Sequence, residues 1–147
     1  MSMFCYQCQE TAKGTGCQVR GVCGKDEEVA KLQDLLIYTL KGISLIVVKE
    51  KPDYSALKDL DHEVLKSLFI TITNANFDPS AIEAEIKKMI GLRDRLKEIS
   101  GTKLTDDAVV FQADSRAQML EKAASIGVLA TENEDVRSLR EMIKYVS

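Results

Sequence analysis

Apolar residues between positions 26 and 49 recur at three- and four-residue steps: Val29, Leu32, Leu36, Leu40, Ile43 and Val47. This is the period of an α-helix. Leu35, Ile37, Leu45, Ile46 and Val48 fall off that stripe, and a helix apolar nearly all round is one buried on more than one side. Pro52 and Asp53 end the segment. A second helix is predicted over 61–74, with Asp61 as its cap and Val64, Leu65, Leu68, Phe69 and Ile72 as its stripe. A third follows the turn "NANFDPS": Asp78 caps it, Pro79 takes the first position, and Gly101 stops it. Its stripe is Ile82, Ile86, Met89, Ile90, Leu96 and Ile99. Short links make these three helices antiparallel neighbours in a bundle spanning 26–101.

Residues 102–147 read differently. "LTDDAVVFQ" is a connector, briefly extended at 109–111. Ser115 and Gln118 make a capping-box pattern before a short helix that Gly127 stops. "TENED" opens a last helix with Val136, Leu139, Met142, Ile143 and Val146 on one face. "EEVAKLQDLLIYTL" near the start and "EDVRSLREMIKYV" near the end share Glu, Val, Leu and Tyr at 27/134, 29/136, 32/139 and 38/145. Two readings stand side by side: a two-fold internal repeat, or two amphipathic helices built from common residues. The last apolar face has no partner within the pattern and no glycine cap, so the chain is expected to stop inside a truncated second bundle. A homodimer through that face, docking onto helix three, or the following helices of a longer chain would each cover it; the homodimer is the expectation carried forward.

Residues 1–25 have no apolar period. They hold Gly14, Gly16, Gly21 and Gly24 and all four cysteines of the 147-residue chain, spaced C-x2-C-x8-C-x5-C. Ordering so flexible a loop is costly in entropy, and a bound metal would offset that cost. Cys5 and Cys8 can chelate one centre from a tight turn, and the glycines allow the loop to wrap so that all four sulfurs point inward. Four thiolates with no nearby histidine suit either zinc or an iron–sulfur cluster, and spacing alone leaves both open. Net charge is −3 with both signs interspersed, which argues against nucleic acid or a membrane surface as partner. The longest apolar run, "LLIYTLKGISLIVV" at 35–48, is broken by Lys41 and is too short to span a bilayer. No secretory signal opens the chain, so a cytoplasmic location, where structural disulfides are rare, is expected. Phosphate-binding glycine loops, serine–histidine pairs and dinucleotide fingerprints are absent.

"MFCYQCQETAKGTGCQVRGVCGKDEEVAKLQDLLIYTLKGIS" resembles the amino-terminal segment of the hybrid cluster protein family, also called prismane proteins or hydroxylamine reductases. "TNANFDPS", "GLRDRLKE" and "GVLATENEDVRSLRE" resemble later stretches of that family in the same order. The resemblance implies an all-α segment: a cysteine- and glycine-rich cluster-binding loop, a three-helix bundle, and the start of a second helical bundle. It implies a [4Fe-4S] cluster on Cys5, Cys8, Cys17 and Cys23. Members with wider cysteine spacing carry [2Fe-2S] instead, and the compact spacing here is similar to the former group. Relatives continue into α/β domains whose hybrid iron–sulfur–oxygen cluster, bound by cysteines, a histidine and glutamates, is the proposed site of reduction of hydroxylamine to ammonia or of nitric oxide.

This chain departs from that pattern. No cysteine follows Cys23 and the one histidine is His62, expected to be exposed. No catalytic residue is assigned, and reductase activity is not carried over to this polypeptide by itself. The reading is therefore an iron–sulfur electron-transfer module, partnered by the missing hybrid-cluster domains and by a redox donor protein. The alternative is a non-redox helical module with a structural four-cysteine zinc site. Lys13, Arg20 and Lys25 give the loop positive charge, read as ordinary surface charge in preference to a tuning role. Phe4 and Tyr6 flank the first thiols, either shielding a metal from water or packing on helix one. "GLRDRLKE" is read as a solvated face with weak ion pairs.

Overall fold

Helix α1 (Glu27–Glu50) is the axis of the molecule. It begins at Asp26, whose carboxylate accepts the Val29 N–H at 2.8 Å and so satisfies one of the open donors of a helix start. It ends where Lys51 adopts a left-handed conformation, φ 47°, ahead of Pro52. Val29, Leu32, Leu35, Leu36, Leu40, Ile43 and Ile46 are all buried, so the helix is enclosed on several sides, as its pattern predicts. The computed structural model describes residues 3–73 and 75–146. Among these, six α-helices occur and no strand; the fold is all-α.

α1 packs chiefly on α3 (Pro79–Ser100), then on α5 (Arg116–Ile126) and α4 (Asp107–Val110), and more lightly on α2 (Leu60–Ile72). One apolar core results, with Ile82, Ile86, Met89 and Leu96 from α3, and Val109, Met119 and Ala123 from the later segments. Asp78 caps α3 by accepting the Ser80 N–H at 2.9 Å, and Gly101 ends it at φ 61°. The capping box at Ser115 and Gln118 is formed at both of its bonds.

Three local expectations are corrected. α2 starts at Leu60, and Asp61 lies inside its first turn, accepting from the Tyr54 hydroxyl at 3.3 Å. Its buried face runs through Leu60, Ser67 and Thr71, while Leu65 and Phe69 are 67% and 62% exposed. The helix is rotated from its apolar stripe because two hydroxyls find partners inside. Ser67 donates to Glu85 on α3 at 2.9 Å, and Thr71 accepts from Gln7 at 3.2 Å. The expected end of this helix at residue 74 lies outside the described residues.

The second correction is Arg93, placed by its charge pattern on a solvated face but 0% exposed. Its guanidinium donates to Ala108 O at 3.1 Å, to Phe111 O at 2.6 Å and to Asp94 Oδ1 at 3.1 Å. Burying such a charge is tolerable only when its donors are used. Those bonds also explain the third correction: 107–110 is a helical turn rather than extended chain, because Arg93 holds it against α1. Gly42 makes the approach possible, since a Cβ there would stand 2.1 Å from Ala108 O.

The last helix, α6 (Glu134–Val146), rests on the 3-10 turn Val128–Ala130, and Arg140 donates to Gly127 O at 2.7 Å. Val136, Leu139, Met142 and Ile143 are exposed; the side chain of Val146, also expected on that face, lies outside the described residues.

Candidate metal centre

The cysteine loop folds as a flattened turn over the start of α1. Among the described residues of the loop, the regular pairing is an antiparallel bridge between Cys5 and Cys17, with N–H to O distances of 3.0 and 2.8 Å. Met3, Cys17 and Ala30 of α1 form a small buried cluster beneath it. The 3-10 turn Ala12–Gly14 carries the chain from one side of the bridge to the other. Gly16 has φ 107°, and a Cβ there would stand 2.7 Å from the Phe4 ring, so that ring packs directly on bare backbone. Phe4 thus packs within the loop, and Tyr6 donates to Gly14 O at 3.2 Å.

All four thiols are unpaired by disulfides. Cys17 is buried, Cys5 and Cys8 are half-buried, and Cys23 is exposed. Cys23 faces outward because it sits in a tight turn closed by Gly24 N–H to Gly21 O at 2.8 Å and Gly21 N–H to Lys25 O at 2.7 Å. The expected inward convergence of all four sulfurs is not what the loop displays. Among the described residues, no three cysteine, histidine or carboxylate side chains are gathered as metal ligands. His62 is exposed on α2.

The environment of Cys17 favours its thiolate. Burial pushes its thiol up, but the N–H groups of Ala12 and Val22, the Thr11 hydroxyl and the Lys25 charge outweigh that, and the group is held below its ordinary value. The Ala12 N–H lies 3.5 Å from Cys17 Sγ, and Thr11 Oγ1 lies 3.8 Å from it.

Lys25 is not surface charge. It is 1% exposed, and its Nζ lies 3.7 Å from Cys5 Sγ and 3.3 Å from Gln7 Oε1. Lys13 and Arg20, by contrast, are exposed, and Arg20 Nε donates to Gly24 O at 3.2 Å. Gln7 continues the chain of contacts to Thr71 of α2. Sequence reasoning missed Gln7 and Thr71 altogether, since neither residue type at those positions marks burial.

A thiolate-bound cluster would find fitting donors here. Four soft sulfurs share one loop with no competing histidine, one sulfur already receives a backbone N–H, and a buried ammonium lies beside another. These are the groups an anionic, sulfur-rich centre requires.

The profile of the Prismane/CO dehydrogenase family matches residues 3–146. The chain is 63% identical over 145 residues to a hydroxylamine reductase of Acetivibrio thermocellus, an alignment covering 99% of this chain and 27% of that protein. It is 49% identical over 151 residues to one from Desulfitobacterium hafniense, covering 99% and 28%. It is 41% identical over 174 residues to one from Clostridium botulinum, covering 99% and 30%. The chain thus spans less than a third of the length of these relatives.

Proposed function

The chain belongs to the Prismane/CO dehydrogenase family, and from that premise we propose that it is the electron-transfer portion of a hydroxylamine reductase, holding a [4Fe-4S] cluster on Cys5, Cys8, Cys17 and Cys23. In sequence it corresponds to the amino-terminal region of the hydroxylamine reductases. The observation that carries the proposal is the cysteine loop: four free thiols within one short segment, all inside the family match. When bound, such a cluster accepts and releases one electron at a time. The chain's own part is to supply thiolates, to donate the Ala12 N–H toward sulfur, and to cover one side with Met3 of the loop and Ala30 of α1.

The donor protein approaches the outer edge of the loop. Val19, Val22 and Cys23 are exposed there beside Arg20, so apolar contact and a positive charge are offered together. Reduction of hydroxylamine, the activity named for the relatives, is assigned to a longer polypeptide. No cysteine follows Cys23, and a cluster held wholly by these four thiolates would leave a substrate no open position.

Anaerobic reconstitution with iron and sulfide tests the reading. A brown protein with equal iron and sulfide, bleached on reduction, is expected, together with no sustained ammonia formation from hydroxylamine and a reduced dye. A colourless protein that retains one zinc would replace the proposal with a structural metal site.

A further inference from the structure

Lys25 presents an electrostatic problem that the loop itself must solve. It is 1% exposed, and among the described residues it makes no ion pair with a carboxylate. A buried ammonium without an anion is strongly disfavoured. Gln7 Oε1, at 3.3 Å, supplies a dipole and no charge. Among the described residues, the contact of Lys25 Nζ that can carry negative charge is Cys5 Sγ, at 3.7 Å.

The position of Lys25 is fixed from three directions. Its carbonyl accepts the Gly21 N–H at 2.7 Å. A Cβ on Gly21 would stand 3.0 Å from both Lys25 Cβ and Cys23 Sγ, so the backbone is packed tightly around its root. Gln7 holds the tip and is itself held by Thr71 of α2, which is fully buried.

We propose that the Lys25 ammonium is the fixed counter-charge of the cysteine centre, a positioning residue that acts through Cys5 and raises the centre's affinity for an electron. The inference rests on the cluster reading above. One-electron reduction adds one negative charge to a group whose thiolate ligands are already anionic; the electron comes from an external one-electron donor, and no bond forms or breaks. A cation at this distance in a water-poor site stabilises the reduced form more than the oxidised one. Lys13 and Arg20, which face water, are screened and exert far less.

The test uses the full chain, reconstituted anaerobically, as wild type, Lys25→Met, Lys25→Gln, Lys25→Arg and Lys13→Met. Each is titrated with dithionite and followed by visible absorption against redox dyes. Lys25→Met should lower the reduced-to-oxidised ratio at the wild-type midpoint about tenfold, equivalent to about 59 mV for a one-electron couple. Lys25→Arg should lie closer to wild type than Lys25→Met, and Lys13→Met should move several-fold less. Loading retained by Lys25→Arg but lost by both Lys25→Met and Lys25→Gln would equally support a required charge. An unshifted Lys25→Met midpoint, an equal shift in Lys13→Met, or loading lost in all three Lys25 variants would overturn the assignment. These failures concern Lys25 alone; a colourless wild type would instead remove the cluster reading on which it stands.

Discussion

Replacing Gly42 by alanine separates two effects that act in opposite directions. Gly42 lies inside α1, and alanine in a helix interior is about 1 kcal/mol better than glycine. On propensity alone the variant should be more stable. The added methyl, however, would stand 2.1 Å from Ala108 O and 2.8 Å from Ala108 C. Both atoms are backbone, and Arg93 ties that carbonyl down from the other side. Relief requires the α4 turn to retreat by roughly 1 Å or more to reach van der Waals contact. Overpacking of this kind costs about 1–3 kcal/mol, and weakening a charged, buried hydrogen bond adds about 1.5 kcal/mol. Subtracting the propensity gain leaves a net loss of about 1.5–3.5 kcal/mol. Gly91→Ala is the matched control: it lies in α3, it is exposed, and an added Cβ meets nothing within 4 Å. That variant should gain up to about 1 kcal/mol. Urea unfolding followed by far-ultraviolet circular dichroism reads both. If the two substitutions move the midpoint in the same direction, α4 does not lie on α1 as described and the reasoning fails.

Arg93→Met should lose about 2–4 kcal/mol, because Ala108 O and Phe111 O would be left buried without their donor; a midpoint within error of wild type would contradict this. Cys17→Ser should remove hydrogen-exchange protection from residues 3–25 of the reconstituted protein while the core of α1 and α3 keeps its own, since the buried apolar cluster under the loop is small, Met3, Cys17 and Ala30 among the described residues; equal loop protection in both proteins would count against a metal-organised loop. The Asp107 carboxyl is held below its ordinary range by the Lys122 ammonium and the Tyr38 hydroxyl. Its contribution to stability is therefore present above the ordinary carboxylate value of about 4 and is lost as pH falls through its lower folded value. Asp107→Asn should accordingly flatten the acid limb of a stability–pH curve, and an unchanged limb would show the pair to be inert.

The parts of the fold legible in the sequence are those governed by local rules. Asp78 with Pro79, Gly101 and the Ser115–Gln118 box each specify a helix end through atoms two to four residues away, and α1 announced its enclosure by apolar residues nearly all round. The parts that escaped depend on partners distant in the chain. α2 turned away from its apolar stripe because Ser67 and Thr71 are satisfied by Glu85 and Gln7, and hydroxyls with remote partners carry no periodic signal. Arg93 reads as one more charge in an alternating run until the carbonyls at 108 and 111 come round to meet it. At the site, the four cysteines stood out by composition, whereas Lys25 shared its residue type with Lys13 and only its burial tells them apart.

The junction between loop and helix ties these observations together. Lys25 and Asp26 are consecutive and oppositely charged, yet they face different tasks. Asp26 turns outward to close the first turn of α1, and Lys25 is buried beside Cys5. The extended backbone at Asp26, φ −91° and ψ 177°, serves both ends. It is the conformation a capping residue needs, and alternation along extended chain sends its predecessor to the opposite side. The start of the longest core helix therefore also sets where the one buried ammonium among the described loop residues lies. Packing of α1 against α3 and α5 holds that helix start in place, so the cap of the core helix and the electrostatics of the cysteine loop are set by two consecutive residues.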